Sequence, residues 1–409
     1  MILLISFNQL YIGQYKYIAM NTNQNNVQCN INRNALFFDI AFVLYIFWGC
    51  FRDADMAFSK MMPFSNNKVA YLSVFFSVLC IIRNRLTIPR LFLMCIVVGF
   101  AVFFKRAYDY FEILPISFLV FAATNISVDH IIKVCFRATI VSTLFIFLLS
   151  FLGILPDKVF NHTIGEGLVV DAHTFGFFYY SGFSYRILII SICFLYLYRY
   201  SLTVFRVICF VLFVVGAYYL SSTRLQLLLS FIFLFSLIIV YKFKWLSFKH
   251  RFWKYLGLVT YPVAFLVTIM LPLAYFVSYD FLAWWDEAFN GRMSQNIMAF
   301  TQYNISLWGN AIEMVGSATA ETTTLDYFYI DAGYVYWLLA YGMVFTALIL
   351  FAYSAVFYRS YKYNNSFIYL WCLIPAFTNM INDFFTCSYF SPLIFLLYAD
   401  FSATPKEVS

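Results

Sequence analysis

Asp331-Ala-Gly-Tyr-Val-Tyr-Trp-Leu-Leu-Ala-Tyr-Gly342 marks the point where the chain returns to an apolar pattern after its one long interruption, which begins at Ser278. Of the 409 residues, 63% are hydrophobic and only 11% are charged, which is more apolar surface than a water-soluble fold can hide. A bilayer accepts that surface, so the chain reads as an integral membrane protein. Crossing roughly 30 Å of hydrocarbon takes about 20 helical residues, and apolar stretches near that length recur along the sequence. They lack the alternating polarity of barrel strands. The expected fold is therefore an all-α polytopic bundle of about 12 transmembrane helices with one large extracytoplasmic loop.

The spans are expected at about 35–51, 69–82, 88–104, 110–124, 134–153, 175–198, 204–220, 225–241, 255–277, 332–357, 366–383 and 388–401. Residues 1–34 then form a cytoplasmic N-terminal segment, without the positive start and cleavage site of a signal peptide. Residues 35–277 carry nine spans with short loops and an outer loop near 154–174. Residues 278–331 form the large extracytoplasmic loop, 332–401 the last three spans, and 402–409 a cytoplasmic tail.

Orientation follows from Lys and Arg in the short loops, because cytoplasmic loops carry the excess. The 242–254 loop, with Lys242, Lys244, Lys249, Arg251 and Lys254, is the strongest anchor and is set in the cytoplasm. Alternation then places both termini inside and the 278–331 loop outside. That loop carries Asp280, Asp286, Glu287, Glu313, Glu321, Asp326 and Asp331 against a single cation, Arg292. Its Trp284, Trp285, Trp308, Tyr327 and Tyr329 suit either a bilayer interface or sugar rings. The net charge of +7 needs no nucleic acid partner, since topology alone explains it.

The nine cysteines are scattered singly, without metal-binding spacing. Walker A, GxGxxG and HExxH patterns are missing, as is a DxD pair in a cytoplasmic domain. No metal and no cofactor is called for.

Charges at membrane depth are expensive, about 2–3 kcal/mol on insertion scales, so each invites a partner or a task. Arg186 follows Tyr179-Tyr-Ser-Gly-Phe-Ser-Tyr185, and His173 precedes it in a stretch broken by small and polar residues. Both could line a polar cavity; equally, Arg186 could pair with an internal carboxylate and His173 lie at the interface. Ser221-Ser-Thr-Arg224 opens a helix, where amides, hydroxyls and a guanidinium favour an anion. The same residues could simply cap the helix while Arg224 snorkels. Arg292 begins an amphipathic segment and either contacts a substrate anion or pairs with Asp286 or Glu287. Asp331 and Tyr334 stand at the mouth of the next span, where a carboxylate could take a proton from a sugar hydroxyl or cap the helix. Asn379, Asn382 and Asp383 close an apolar run, for function or for helix packing.

Four pieces in order carry a family resemblance: His173-Thr-Phe-Gly-Phe177, Ser222-Thr-Arg-Leu225, Gly291-Arg-Met-Ser-Gln-Asn296 with Ile305-Ser-Leu-Trp-Gly309, and Asp331-Ala-Gly-Tyr334 through Tyr341-Gly342. The chain resembles the polysaccharide repeat-unit polymerases, the Wzy class, which share a general plan with the O-antigen ligases. Members place an arginine upstream of the first piece and an asparagine after it. Here Val170-Asp171-Ala172 precedes and Tyr179-Tyr180-Ser181 follows, which leaves Arg186 as the cation of that region.

The resemblance implies a bacterial cytoplasmic membrane enzyme on a GT-C-like glycosyltransferase plan. Its reaction would transfer a growing glycan from undecaprenyl diphosphate to the terminal sugar of a new lipid-linked repeat unit on the outer face. Arg186, Arg224 and Arg292 would neutralise the leaving diphosphate. His173 or Asp331 would orient or deprotonate the acceptor, and Tyr334 and Trp308 would contact the glycan. Its partners would be the undecaprenyl-diphosphate-linked oligosaccharide, the bilayer, a chain-length regulator and a flippase. A flippase or other transporter of lipid-linked sugars, and a glycan ligase, are the competing readings.

On this expectation, Arg224→Ala and Arg292→Ala each abolish long-chain polymer while the protein still reaches the membrane. Normal chain lengths from both variants, read on a polysaccharide gel beside a membrane immunoblot, would remove the assignment.

Overall fold

The computed structural model describes residues 25–54, 67–84, 86–164, 168–243, 250–277, 283–284, 286–287, 291–316, 327–384, 389 and 391–402. Residues 1–24, the basic-loop residues Lys244 and Lys249, the loop residues Asp280, Trp285, Glu321 and Asp326, and the tail beyond 402 lie outside the described residues.

The apolar runs form α-helices where local signals start and stop them. These are α1 (Asn25–Arg52), α2 (Asn67–Asn84), α3 (Ile88–Tyr108), α4 (Ile113–Ala122) and α5 (Val128–Phe151). After a hairpin come α6 (Tyr180–Leu197), α7 (Val204–Ser221), α8 (Arg224–Phe243) and α9 (Arg251–Val277), then α10 (Arg292–Gln302), α11 (Gly333–Lys362) and α12 (Ser366–Thr378). Ser127 caps α5 by accepting from the His130 amide, Thr203 caps α7 through Arg206, and Asn365 caps α12 through Ile368.

Seven of the described helices are long and apolar enough to cross a membrane, and three more apolar helices, Ile113–Ala122, Arg224–Val240 and Ser366–Thr378, are shorter. That is fewer than the 12 expected. The discrepancy is clearest at the end of the chain. The run expected to span at 388–401 forms only a short 3-10 helix, Pro392–Leu397, whose Leu393, Phe395 and Leu396 are fully buried. Its Arg359-capped exit, with Arg359 donating to the Leu397 and Ala399 carbonyls, turns it back into the bundle. Apolar composition announces burial, and burial inside protein does not require a continuous helix.

In the outer loop near 154–174 the otherwise helical chain forms one small strand pair. Val159–Ile164 (β1) and Leu168–His173 (β2) pair as an antiparallel hairpin, with Val159 opposite His173. The hairpin sits at the end of the bundle where several helices turn. Ala54, just past α1, bridges to Phe177, and the Phe178 amide donates to the Asp53 carbonyl at 2.8 Å. Ser222, between α7 and α8, donates to the Asp171 carbonyl at 3.4 Å. Tyr108 at the end of α3 and Tyr110 donate to the carbonyls of Gly309 and Asn310 at 3.1 and 2.9 Å. The long loop and the hairpin therefore cover one end.

The loop is fixed to the bundle at a break in α11. Gly342 has φ 75° and ψ 175°, a region open to glycine alone. The break frees backbone groups inside the protein, and the loop satisfies them. The Met343 amide donates to Ser306 O at 3.0 Å and the Val344 amide to Leu307 O at 3.4 Å. Leu339 O, which Met343 would have served in a regular helix, accepts instead from Asn310 Nδ2 at 2.8 Å. Contact is at backbone level: a Cβ on Gly309 would lie 2.1 Å from the Ala340 carbonyl oxygen, and one on Gly342 would lie 2.4 Å from the Gly309 nitrogen.

Gly342→Ala should lower thermal stability by more than the ~1–3 kcal/mol of a residue held in that glycine region, because a backbone clash is added. Gly99→Ala, in α3 with nothing within 4 Å of the new Cβ, should be neutral or stabilising. Thermal unfolding of the detergent-purified variants separates the two; equal stability would mean the loop is not locked at Gly342.

Candidate functional site

Three chain segments meet beside the start of α11. The first is α10, an amphipathic helix that buries Met293, Asn296 and Ala299. Its start is set by Asp286: Oδ1 accepts from the Met293 amide at 2.8 Å and Oδ2 from Ser294 Oγ at 2.5 Å. A carboxylate at a helix N-terminus is favoured by the helix dipole. Because Asp286 is engaged in capping, Arg292 turns elsewhere.

The second segment is 327–331 and the third is the turn after α12, residues 379–384. Arg292 ties them together: Nη1 donates to the Ile381 carbonyl, and Nε lies 3.5 Å from Asp331 Oδ2. Asp383 Oδ2 accepts from Tyr329 at 2.7 Å. Asn382 Nδ2 donates to Tyr185 Oη at 2.9 Å, and the Tyr185 ring stacks on Phe384 at 3.8 Å. The start of α6 thereby joins the group, with Tyr179 and Tyr180 within electrostatic range of Tyr327 and Asp331 respectively.

The electrostatics are unbalanced toward negative charge. Burial raises the Asp331 carboxyl above its ordinary range, with Arg292 pulling the other way. Burial pushes Asp383 up to about 7; Tyr329 and Arg292 oppose this and Asp331 adds to it. One guanidinium thus serves two carboxylates, and the second is held near the point of protonation at neutral pH. Burial, with help from Asp331 and Tyr179, raises Tyr327 to about 12, so it remains a hydrogen-bond donor. Asn379 is fully buried, and neither atom of its side-chain amide has a partner among the described residues.

Arg292 and Asp331, expected from sequence, are brought together. The other expected residues are placed differently. His173 Nδ1 contacts Asp157 Oδ2 at 2.7 Å and its ring stacks on Phe175; among the described residues no contact joins it to Asp331. Arg186 is 3% exposed and donates to Asp53 Oδ2 at 3.0 Å and to the Gly182 carbonyl at 2.8 Å. Its guanidinium also lies over the Phe177 ring at 4.5 Å, and Tyr389 donates to the other Asp53 oxygen at 3.0 Å. This is the internal ion pair that sequence left open. Arg224 begins α8 on an exposed surface. Tyr334 is fully buried and donates to the Ala376 carbonyl at 2.8 Å. Trp308 lies against Phe100 and Phe103 of α3.

Asp383, Tyr329 and Tyr185 belong to the group without having been selected as site residues. Asn379-Met-Ile-Asn-Asp383, a polar close to an apolar run, is the signal that points to the first. Nothing in the sequence pairs it with Tyr329, 54 positions earlier.

Arg186→Ala should cost roughly 3–5 kcal/mol of stability, because it strands the partly buried Asp53. Arg224→Ala should leave unfolding unchanged. Chemical or thermal denaturation in detergent checks this, and a stable Arg186→Ala protein would refute the structural role.

No family model matches the chain, and no curated protein or solved structure matches it.

Proposed function

We propose that the chain polymerises lipid-linked oligosaccharide repeat units at the outer face of a bacterial cytoplasmic membrane, with both termini inside. The observation that carries this reading is the Asp331–Arg292–Asp383 group with Tyr329 on Asp383, at the end of an apolar bundle. The acceptor sugar's hydroxyl oxygen attacks the anomeric carbon of the glycan held on undecaprenyl diphosphate. The bond from that carbon to the diphosphate oxygen breaks, and the electron pair leaves with the diphosphate. Asp383 takes the hydroxyl proton, since a base titrating near 7 is matched to that task at neutral pH. Arg292 neutralises charge developing on the diphosphate, and Asp331 holds Arg292 in place. Tyr179, Tyr180 and Tyr327 offer rings and hydroxyls to the sugars. The donor is already activated, so the reaction draws on no nucleotide.

The pH dependence has a definite sign. Asp383 accepts a proton only when ionised, so turnover should rise with pH through about 7 and level off above it. Tyr329 stabilises the ionised form, so Tyr329→Phe should move this limb to higher pH. Asp383→Asn should remove the limb and lower the rate by roughly 10²–10⁴-fold. The measurement is ladder formation by purified protein from a defined diphosphate-linked repeat unit across pH 5.5–9. Wild-type turnover by Asp383→Asn would eliminate the assignment of the base, and no ladder at any pH would eliminate the polymerase.

A further inference from the structure

Where α6 and α8 begin and α7 ends, the three helices line a small polar cavity. Its polar lining is Ser184, Tyr218, Ser221, Thr223, Gln226 and Ser230, and all of these but Tyr218 are buried. The cavity leaves about 10 Å³ for the centre of a water-sized occupant, which is at the threshold of roughly 10–15 Å³ for holding a single one. The hydroxyls around it have spent their hydrogens. Ser184 donates to the Tyr180 carbonyl at 3.4 Å, Ser221 to the Ala217 carbonyl at 2.8 Å and Ser230 to the Gln226 carbonyl at 2.8 Å. Thr223 lies 3.0 Å from Ser221 Oγ, and since the one Ser221 hydrogen serves Ala217, Thr223 is the donor in that contact. What these side chains have left to offer an occupant is oxygen lone pairs. Gln226 adds another: its side chain is 7% exposed, and its Oε1 has no hydrogen-bond partner among the described residues. An amide oxygen is costly to leave unpaired inside an apolar bundle.

Oxygen acceptors in excess of donors suit a cation. Among the described residues no carboxylate, imidazole or thiol lines the cavity. Calcium and magnesium rely on carboxylates, and transition metals take imidazole or thiolate, so the donor set points to a monovalent ion. Room for a single water-sized particle favours sodium over larger alkali ions. The helix dipoles do not decide the matter, since α7 presents its negative end here while α6 and α8 present positive ones. Arg224 is exposed and does not line the cavity. The turn Ser221-Ser-Thr-Arg224, which in sequence suits an anion, therefore gives this cavity hydroxyl oxygens and keeps its guanidinium outside.

We infer that this cavity is a monovalent-cation site selective for sodium, with ligands drawn from the hydroxyls of Ser184, Ser221, Thr223 and Ser230 and from Gln226 Oε1. Ser222, between two of these ligands, donates to the Asp171 carbonyl of β2 at 3.4 Å. An ion bound here joins α6, α7 and α8 and steadies the turn that meets the hairpin.

The test uses full-length protein purified in detergent with choline chloride in place of sodium salts. Radioactive sodium should bind saturably, at about one ion per chain, and unlabelled sodium should displace it at lower concentration than potassium does. Thermal unfolding should move upward as sodium chloride replaces choline chloride at constant ionic strength, because a ligand of the folded state stabilises that state. Potassium chloride should move it less. Gln226→Met keeps the side-chain shape and removes the unpaired oxygen, so it should fold in choline chloride and lose both the binding and the sodium shift. Thr223→Val should weaken both several-fold. Absence of saturable sodium binding by the wild type would overturn the site and leave the cavity to a buried water. Equal shifts by sodium and potassium, or a wild-type sodium response from Gln226→Met, would also overturn it. Neither readout involves polymer formation, so failure here leaves the reading of the Arg292 group untouched.

Discussion

A helix that breaks inside an apolar bundle must find new partners for its freed amides and carbonyls, because no water is there to serve them. At Gly342 those partners are Ser306 O, Leu307 O and Asn310 Nδ2, all from the long loop. The loop is thereby fixed to the bundle through backbone, which tolerates almost no displacement. Everything else at this end follows from where that lock sits. It delivers Trp308 to the face of α3, and within the same stretch α10 lies against α9 and α11 with Arg292 at its first turn. The break in α11 is therefore a construction joint, and Gly309 and Gly342 are glycines because two backbones meet there.

Two arginines near this end illustrate how differently a buried cation can be used. Arg186 is enclosed by Asp53, two carbonyls and the Phe177 ring, with Tyr389 completing the carboxylate. Such a network ties α1 to α6 and the end of the chain, and its charges are matched. Arg292 faces two carboxylates, and burial, with Asp331 adding to it, raises Asp383. Matched charge holds structure; unmatched charge near neutral pH can move a proton.

The bundle's far end is closed by ordinary means. Asp129 pairs with Arg199 at 3.3 Å and accepts from Tyr196, and the strand-like contact of Ser127 with Asp400 brings the C-terminal apolar segment back onto the turn before α5. In a membrane protein packing and hydrogen bonds do this work, since lipid offers the helices no hydrophobic reason to associate. Stacked and edge-on aromatic pairs such as Tyr261 with Tyr353 and Phe233 with Phe367 fill the interior accordingly.

The sequence by itself determined that the chain is an apolar helical bundle interrupted by one acidic loop, because composition and run length respond directly to the bilayer. It also singled out Arg292 and Asp331, since a lone cation in an acidic loop and a carboxylate at a span's mouth are local facts. Only the tertiary structure decided that the last apolar run is a buried 3-10 turn, that Val159–Ile164 and Leu168–His173 pair as strands, and that Arg186 belongs to Asp53. It alone joined Tyr329 to Asp383. Those outcomes depend on which distant segments meet. A charge, an aromatic ring or a glycine announces in sequence that it needs a partner, and only the fold supplies the partner's identity.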